Sequence, residues 1–179
     1  MNLKLAFLAF LILPLTPFAG YIPHGGKLPQ AERKPVAGKA DLIRVDKSER
    51  RLELLRGGKL LASYPVALGR SPVGHKAREG DMRTPEGRYV IDWRNPGSLY
   101  HLSMHISYPD EQDKARAKAA GFSPGGDIMI HGQPNGYALP ASMLLQQSDW
   151  TFGCIALSNA DLDEIWKAVP DGTPIEINP

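Results

Sequence analysis

The chain holds one cysteine, Cys154, in the run Thr151-Phe152-Gly153-Cys154-Ile155. A thiol attacks carbon only as the thiolate, and near neutral pH that form needs a neighbouring base or a positive environment. His131, in Ile130-His131-Gly132, is the candidate base, because it ends a predicted strand, where a side chain is rigidly aimed. Together the two residue types can perform acyl transfer, the sulfur attacking a carbonyl while the imidazole carries the proton. Gly153 lets the backbone turn sharply before the cysteine. N–H groups in such a turn can converge beside the sulfur, where an oxyanion forms. The plainer alternatives are a small buried core cysteine and a turn histidine, and from these residues alone both readings stay open.

The N-terminus makes the lone thiol more informative. Lys4 precedes an almost unbroken apolar run from Leu5 to Leu15, closed by Pro17, Ala19 and Gly20. This is the pattern of a signal peptide over residues 1–20, and the run is shorter than the roughly 20 residues that span a bilayer. Export to the periplasm is therefore expected, with an uncleaved inner-membrane anchor as the alternative. Exported chains normally use cysteines in pairs, so an unpaired one there calls for a reactive role.

Residues 21–39 are rich in Gly, Pro, Lys and Ala without an apolar period and read as a linker. The folded domain is expected over 40–178. Leu42–Val45, Arg51–Arg56 and Lys59–Leu68 read as strands, the last two joined at Gly57-Gly58. Gly69 to Gly87 reads as a long loop, and Arg88–Trp93 as the next strand. From Tyr100 to Tyr108 the residues alternate, with Tyr100, Leu102, Met104, Ile106 and Tyr108 on one face and His101, Ser103, His105 and Ser107 on the other. Glu111–Ala120 reads as a helix stopped at Gly121, and Asp127–His131 as a brief strand. A last helix opens at Ser158 and Asp161 and stops at Pro170, before a final strand over Thr173–Ile177. The fold class is mainly β with a few short helices.

At 179 residues the chain has room for one domain and its N-terminal appendage. A formal charge of +2, spread over interspersed charges of both signs, argues against nucleic acid as a partner. His101 and His105 have a spacing a metal site could use, but no third ligand is near, so neither metal nor cofactor is expected.

Thr84-Pro85-Glu86-Gly87, Ile130-His131-Gly132 and Thr151-Phe152-Gly153-Cys154-Ile155, in that order, resemble the L,D-transpeptidase catalytic domain, also called the YkuD domain, in its compact single-domain proteobacterial branch. The resemblance covers about residues 40–178. It implies a β-sandwich-like fold and acyl transfer on peptidoglycan stem peptides. Cys154 is then the nucleophile and His131 the general base, its imidazole oriented by the carbonyl of Gly132. Gly153 and Cys154 supply oxyanion N–H groups, and Thr151 and Phe152 flank the substrate. Beside the resemblance, the residues themselves offer His105 as a lining of the donor groove beside His131, and Arg83, in a loop with Lys76, Arg78 and Arg88, as a holder of a stem carboxylate, with a solvated charged loop as the alternative. The acceptor is an amine on a second stem or on an outer-membrane lipoprotein, and carbapenems acylate the cysteine.

Two positions depart from the family pattern. Phe152 stands where many members have His, and Ala156 where members usually carry Arg or Asn; the interval from His131 to Cys154 is also longer than the common spacing. An L,D-carboxypeptidase or amidase-like hydrolase is the enzymatic alternative, and a non-catalytic wall-binding module is the alternative from another class.

Overall fold

The structure is a computed structural model that describes residues 36–137 and 141–179. The expected signal peptide and residues 21–35 of the expected linker lie outside the described residues. Among the described residues, no helix is long and apolar enough to cross a membrane.

Among the described residues, eight strands form one mixed sheet. In chain order they are β1 (Leu42–Asp46), β2 (Arg51–Arg56), β3 (Lys59–Pro65), β4 (Gly87–Asn95), β5 (Ser103–Ile106), β6 (Met129–His131), β7 (Ile155–Ala156) and β8 (Pro174–Asn178). Across the sheet the order is β3-β2-β1-β8-β4-β5-β6-β7. Successive side chains in a strand point to opposite faces, and the register lines up the apolar ones. Leu54, Ile43, Ile175 and Tyr89 are neighbours across four strands, and Leu52, Val45 and Ile177 form a parallel row. All seven are buried in the same core as Ile91, Met104, Ile106, Ile130 and Ile155.

The sheet curls until its two edges meet. Just past β3, Ala67 pairs with Ala156 of β7 through two backbone hydrogen bonds of 2.9 and 2.8 Å, and Gly69 bridges to Thr151. The third strand therefore stops at Pro65, which has no N–H to donate, and the residues expected to prolong it serve a different neighbour. Such closure also protects edge strands from pairing with other chains.

Among the described residues there are also three short helices: α1 (Glu111–Ala119), α2 (Ala141–Leu145) and α3 (Asn159–Ala168). In α1, Asp110 and Asp113 form a reciprocal capping box. Ser158 caps α3 by accepting from Asp161 N–H at 3.1 Å, while Leu162 and Ile165 enter the core. α2 has no apolar period in the sequence and was not expected. It lies in the connection between β6 and β7, which are parallel, and parallel strands need a crossover of a dozen or more residues. The interval between His131 and Cys154 is that crossover, and α2 occupies part of it.

The 69–87 loop is tied down from inside. Asp81 accepts from the N–H groups of Ala77, Arg78 and Arg83 and from Lys76 Nζ, which holds its carboxyl below the usual range despite opposing burial. Lys47, 2% exposed, donates to Gly74 O (2.7 Å), Thr84 O (3.1 Å) and the Glu86 carboxylate (2.7 Å). Removing this ammonium leaves two carbonyls and a carboxylate without their donor. Lys47→Ala is expected to lower stability by about 2–4 kcal/mol, measured by urea denaturation against wild type.

Candidate active site

The cysteine turn is fixed by its own side chains. Thr151 Oγ1 donates to Cys154 O at 2.7 Å and accepts from Gly153 N–H at 3.1 Å, closing the four residues into a small ring. Gly153 has φ +132°, and a Cβ there would lie 2.6 Å from Arg83 O and 3.2 Å from the Ile128 side chain. Both conformation and space demand glycine. The approach to the turn is anchored by Asp149, which accepts two bonds from Arg50 Nε (3.1 and 3.0 Å), one from Arg50 Nη2 (2.7 Å) and one from Leu68 N–H (2.9 Å).

Cys154 is half-buried. Its Sγ accepts from Met129 N–H at 3.4 Å and donates to Asp127 O at 3.6 Å. Asp127 reaches that position with φ +54°, a backbone conformation that costs a non-glycine residue energy and that clusters at functional sites.

His131 is 5% exposed at the end of β6. Its Nδ1 lies 2.6 Å from Gly132 O. A carbonyl can only accept, so Nδ1 carries the proton and Nε2 keeps the basic lone pair. Gly132 is held by its N–H, which donates to Tyr100 O at 3.0 Å. A Cβ on it would lie 2.5 Å from Asn159 Oδ1 and 2.9 Å from His101 Cβ. The imidazole also packs on Tyr100 and Trp150, with ring centroids 4.7 and 5.5 Å away.

His131 and Cys154 open on one cavity of about 550 Å³. Tyr100, Ser103, Met129, Trp150, Phe152 and Arg70 contribute to its walls. Phe152 is 67% exposed, and the Arg70 guanidinium sits 5.0 Å over its ring while Nε donates to Trp150 O at 3.3 Å. From the crossover, Leu145 lines the cavity, and Gln146 Nε2 donates to Ala156 O at 3.1 Å.

Several residues stand elsewhere than the sequence reading put them. Thr151 is buried and spends its hydroxyl within the turn, and the Gly153 N–H goes to that hydroxyl rather than to the space beside the sulfur. His105 does not line the cavity: Nδ1 pairs with Asp92 at 2.6 Å and the ring stacks on Trp93 at 4.9 Å. Arg83 lines a separate cavity between the 69–87 loop and α1. Arg88 pairs with Glu176 at 2.7 Å. His101 lies before β5 with φ +67° and pairs with Asp163, so the two histidines share no strand face. Among the described residues, no group of His, Cys, Asp and Glu could hold a metal ion. Ala156 is fully buried.

The sequence reading missed Tyr100, Arg70 and Asp127. Tyr100 was assigned to the packing face of a strand, but β5 starts only at Ser103 and the turn before it delivers the ring to His131. Asp127 follows Gly125-Gly126, a turn signal that could have marked it. Arg70 carried no local signal, because its contact with Phe152 is made 82 positions away in the chain.

Burial pushes the Cys154 thiol above its ordinary value, outweighing the Met129 N–H and the positive charge of Lys76, which lower it. For His131, burial pushes the pKa down against the opposing bond to Gly132. At rest the pair is therefore a neutral thiol and a neutral imidazole rather than an ion pair.

Comparison with known proteins places this arrangement. The L,D-transpeptidase catalytic domain (YkuD) family matches residues 40–177. Over 172 residues the chain is 30% identical to an Escherichia coli K12 protein named "Putative L,D-transpeptidase YafK", covering 90% of this chain and 61% of that one. Less than two thirds of the relative is thus represented. Among solved structures, the helical cell shape determining protein Pgp2 of Campylobacter jejuni is 27% identical with a TM-score of 0.58, over 78% of this chain and 48% of that one. An L,D-transpeptidase of Mycobacterium tuberculosis, at 17% identity and a TM-score of 0.51 over 79% of this chain and 59% of that one, shares the fold.

Two measurements check the resting state. Alkylation of Cys154 by iodoacetamide is expected to speed up about tenfold per pH unit from about pH 6.5 to 8.5, with no plateau; a plateau near neutrality would reveal a preformed ion pair. The depressed pKa of His131 means that the unfolded chain takes up its proton first. Its contribution to stability is full above about pH 6.5 and is lost as pH falls through the folded value. Urea denaturation across that window should show a shallower pH dependence for His131→Gln than for wild type.

Proposed function

The chain belongs to the YkuD family of L,D-transpeptidase catalytic domains, and on that premise we propose that it performs cysteine acyl transfer on peptidoglycan stem peptides. The observation that carries the reading is the shared cavity, onto which open both the only thiol and an imidazole whose Nδ1 is locked on Gly132 O. That lock leaves Nε2 free to take a proton.

In the proposed reaction, Cys154 gives its proton to His131 Nε2 and attacks the carbonyl between meso-diaminopimelate and the terminal D-alanine of a tetrapeptide stem. The C–N bond breaks, the imidazolium returns the proton to the departing D-alanine amine, and a thioester remains. An amine of a second stem, or of an outer-membrane lipoprotein, attacks next. It loses its proton to His131, and the thiolate leaves and is reprotonated. Desolvation favours neutral partners before and after each transfer. Starting from a protonated thiol, the proton moves together with attack, so a standing thiolate is not required.

Oxyanion stabilisation falls to the backbone of the turn. The N–H of Gly153 has to exchange Thr151 Oγ1 for the oxyanion, while Cys154 contributes its own N–H. Thr151 acts by shaping the turn, and Phe152 with Arg70 forms the exposed rim. The N-terminal apolar run supports work in the periplasm, after export. The cell-shape role named for the Campylobacter relative fits an enzyme that remodels crosslinks.

Incubating wild type and Cys154→Ala with tetrapeptide-containing muropeptides, followed by mass spectrometry, tests the reading. Wild type is expected to release D-alanine and form a new diaminopimelate crosslink, and the variant neither. Release without joining would identify the hydrolase, with water in place of the amine, and no change in either protein would leave a wall-binding module. Imipenem should add its mass to wild type and not to Cys154→Ala.

A further inference from the structure

The cavity holding His131 and Cys154 is the first of three that abut. Asp127, Phe152 and Cys154 line both it and a smaller cavity of about 260 Å³. Lys76 and Gly80 in turn line both that cavity and a third of about 780 Å³, between the 69–87 loop and α1. These shared walls set the three cavities in a row, a trough of adjoining spaces from the cysteine to a chamber that the proposed chemistry has not used.

That chamber is cationic. Lys76, Arg78, Arg83 and Arg116 line it together with His75, against Asp81 and Asp113. Both carboxylates are already saturated. Asp81 takes three backbone N–H groups and Lys76, and Asp113 takes Asp110 N–H, Tyr89 OH, His75 and Arg116. Arg78 and Arg83, among the described residues, are in no ion pair. Arg78 lies 5.0 Å over the Phe122 ring, and Arg83 Nη1 reaches only His75 O, at 3.5 Å. Each guanidinium has five donors in a planar fork that matches a carboxylate, and most of these ten remain unspent.

Arg83 links this chamber to the reacting centre. Its carbonyl abuts Gly153, the residue before the cysteine, while its side chain lines the cationic cavity. The backbone that carries this guanidinium is therefore fixed against the cysteine turn.

We propose that Arg83 and Arg78 bind the α-carboxylate of the D-glutamyl residue in the stem peptide, one residue before the carbonyl that Cys154 attacks. This rests on the function proposed above and names the group by which that substrate is recognised. In the stem, the γ-linkage leaves this carboxylate as a branch beside the backbone. Through the γ-linkage seven bonds separate the attacked carbonyl carbon from this carboxylate carbon, a little over two residues of extended chain or roughly 7–8 Å, which carries the branch out of the His131 cavity and along the connecting one, toward the chamber that Arg83 lines. The carboxylate docks while the neighbouring carbonyl enters the His131 cavity, so the trough reads the charge of the stem as well as its length.

The test compares two peptides, L-Ala-γ-D-Glu-meso-diaminopimelate-D-Ala and the same peptide with the D-glutamyl carboxylate converted to an amide. Full-length wild type is expected to favour the free acid about tenfold in kcat/KM, and the Arg78→Gln/Arg83→Gln variant to show a ratio of about one. A double variant that keeps the wild-type preference, or a wild type without one, overturns the proposal. Should wild type turn over neither peptide, the function reading fails, and calorimetric binding of both peptides to the Cys154→Ala protein decides the inference separately. Tighter binding of the acid, lost when Arg78 and Arg83 are replaced, upholds the carboxylate site; equal or absent binding overturns it. Inorganic phosphate that binds through the same two arginines, with no discrimination between the peptides, marks a general anion site and also overturns it.

Discussion

Two backbone hydrogen bonds between Ala67 and Ala156 fix where Cys154 and His131 stand. They seal the curled sheet at the junction of its edges, and the cysteine turn lies immediately before that seam. β7 is only two residues long, so it has little ladder of its own and depends on neighbours on both sides: β6 through Ile130 and His131, and the strand extension through Ala67. The same parallel pairing that holds Ile155 beside Ile130 brings Cys154 level with Met129, whose N–H meets the sulfur. Cysteine and histidine are thus placed by sheet register, and a slip of one residue would turn the histidine to the opposite face.

Around this seam, polar groups are spent on rigidity. Asp149 with Arg50 fixes the approach, Thr151 closes the turn, and Asn159 Oδ1 receives Gln133 N–H beside the tightly packed Gly132. Residues of the Thr84-Pro85-Glu86-Gly87 run work the same way. Thr84 Oγ1 accepts from Gly69 N–H at 3.1 Å, and Glu86 pairs with buried Lys47. Their part is to hold the 69–87 loop against the cysteine turn, where Arg83 O leaves no room for a side chain at Gly153. A long loop that looks loose in composition is here a braced wall.

The electrostatic character of the site follows from that packing. Tyr100 and Trp150 exclude water from His131, which lowers its affinity for a proton, and the same exclusion raises that of the sulfur. Burial disfavours the charged forms of both Cys154 and His131, while the guanidiniums of Arg78 and Arg83, in no ion pair among the described residues, line another chamber. The fixed positive charge and the buried thiol and imidazole thus line different cavities. A cation placed beside His131 instead would lower its pKa further and weaken it as a base.

Much of the fold was legible in the sequence because its signals are local. The apolar residues of Leu42–Val45 and Arg51–Arg56, the Gly57-Gly58 turn, the Ser158 cap and the Gly121 stop each act within a few residues, and the observed elements begin and end close to them. The lone cysteine, the glycine before it and the histidine at a strand end singled out one cavity for the same reason: each residue's chemistry is its own. What the tertiary structure alone decided are the relations between distant segments. It turned Tyr100 toward His131 and His105 toward Asp92, bound Thr151 and the Gly153 N–H to each other, carried Ala67 across to β7, and moved Arg83 into a chamber with Arg78 and Arg116. None of these has a sequence period, because each is set by how a curled sheet brings its edges together and by which polar group lies nearest once it has closed.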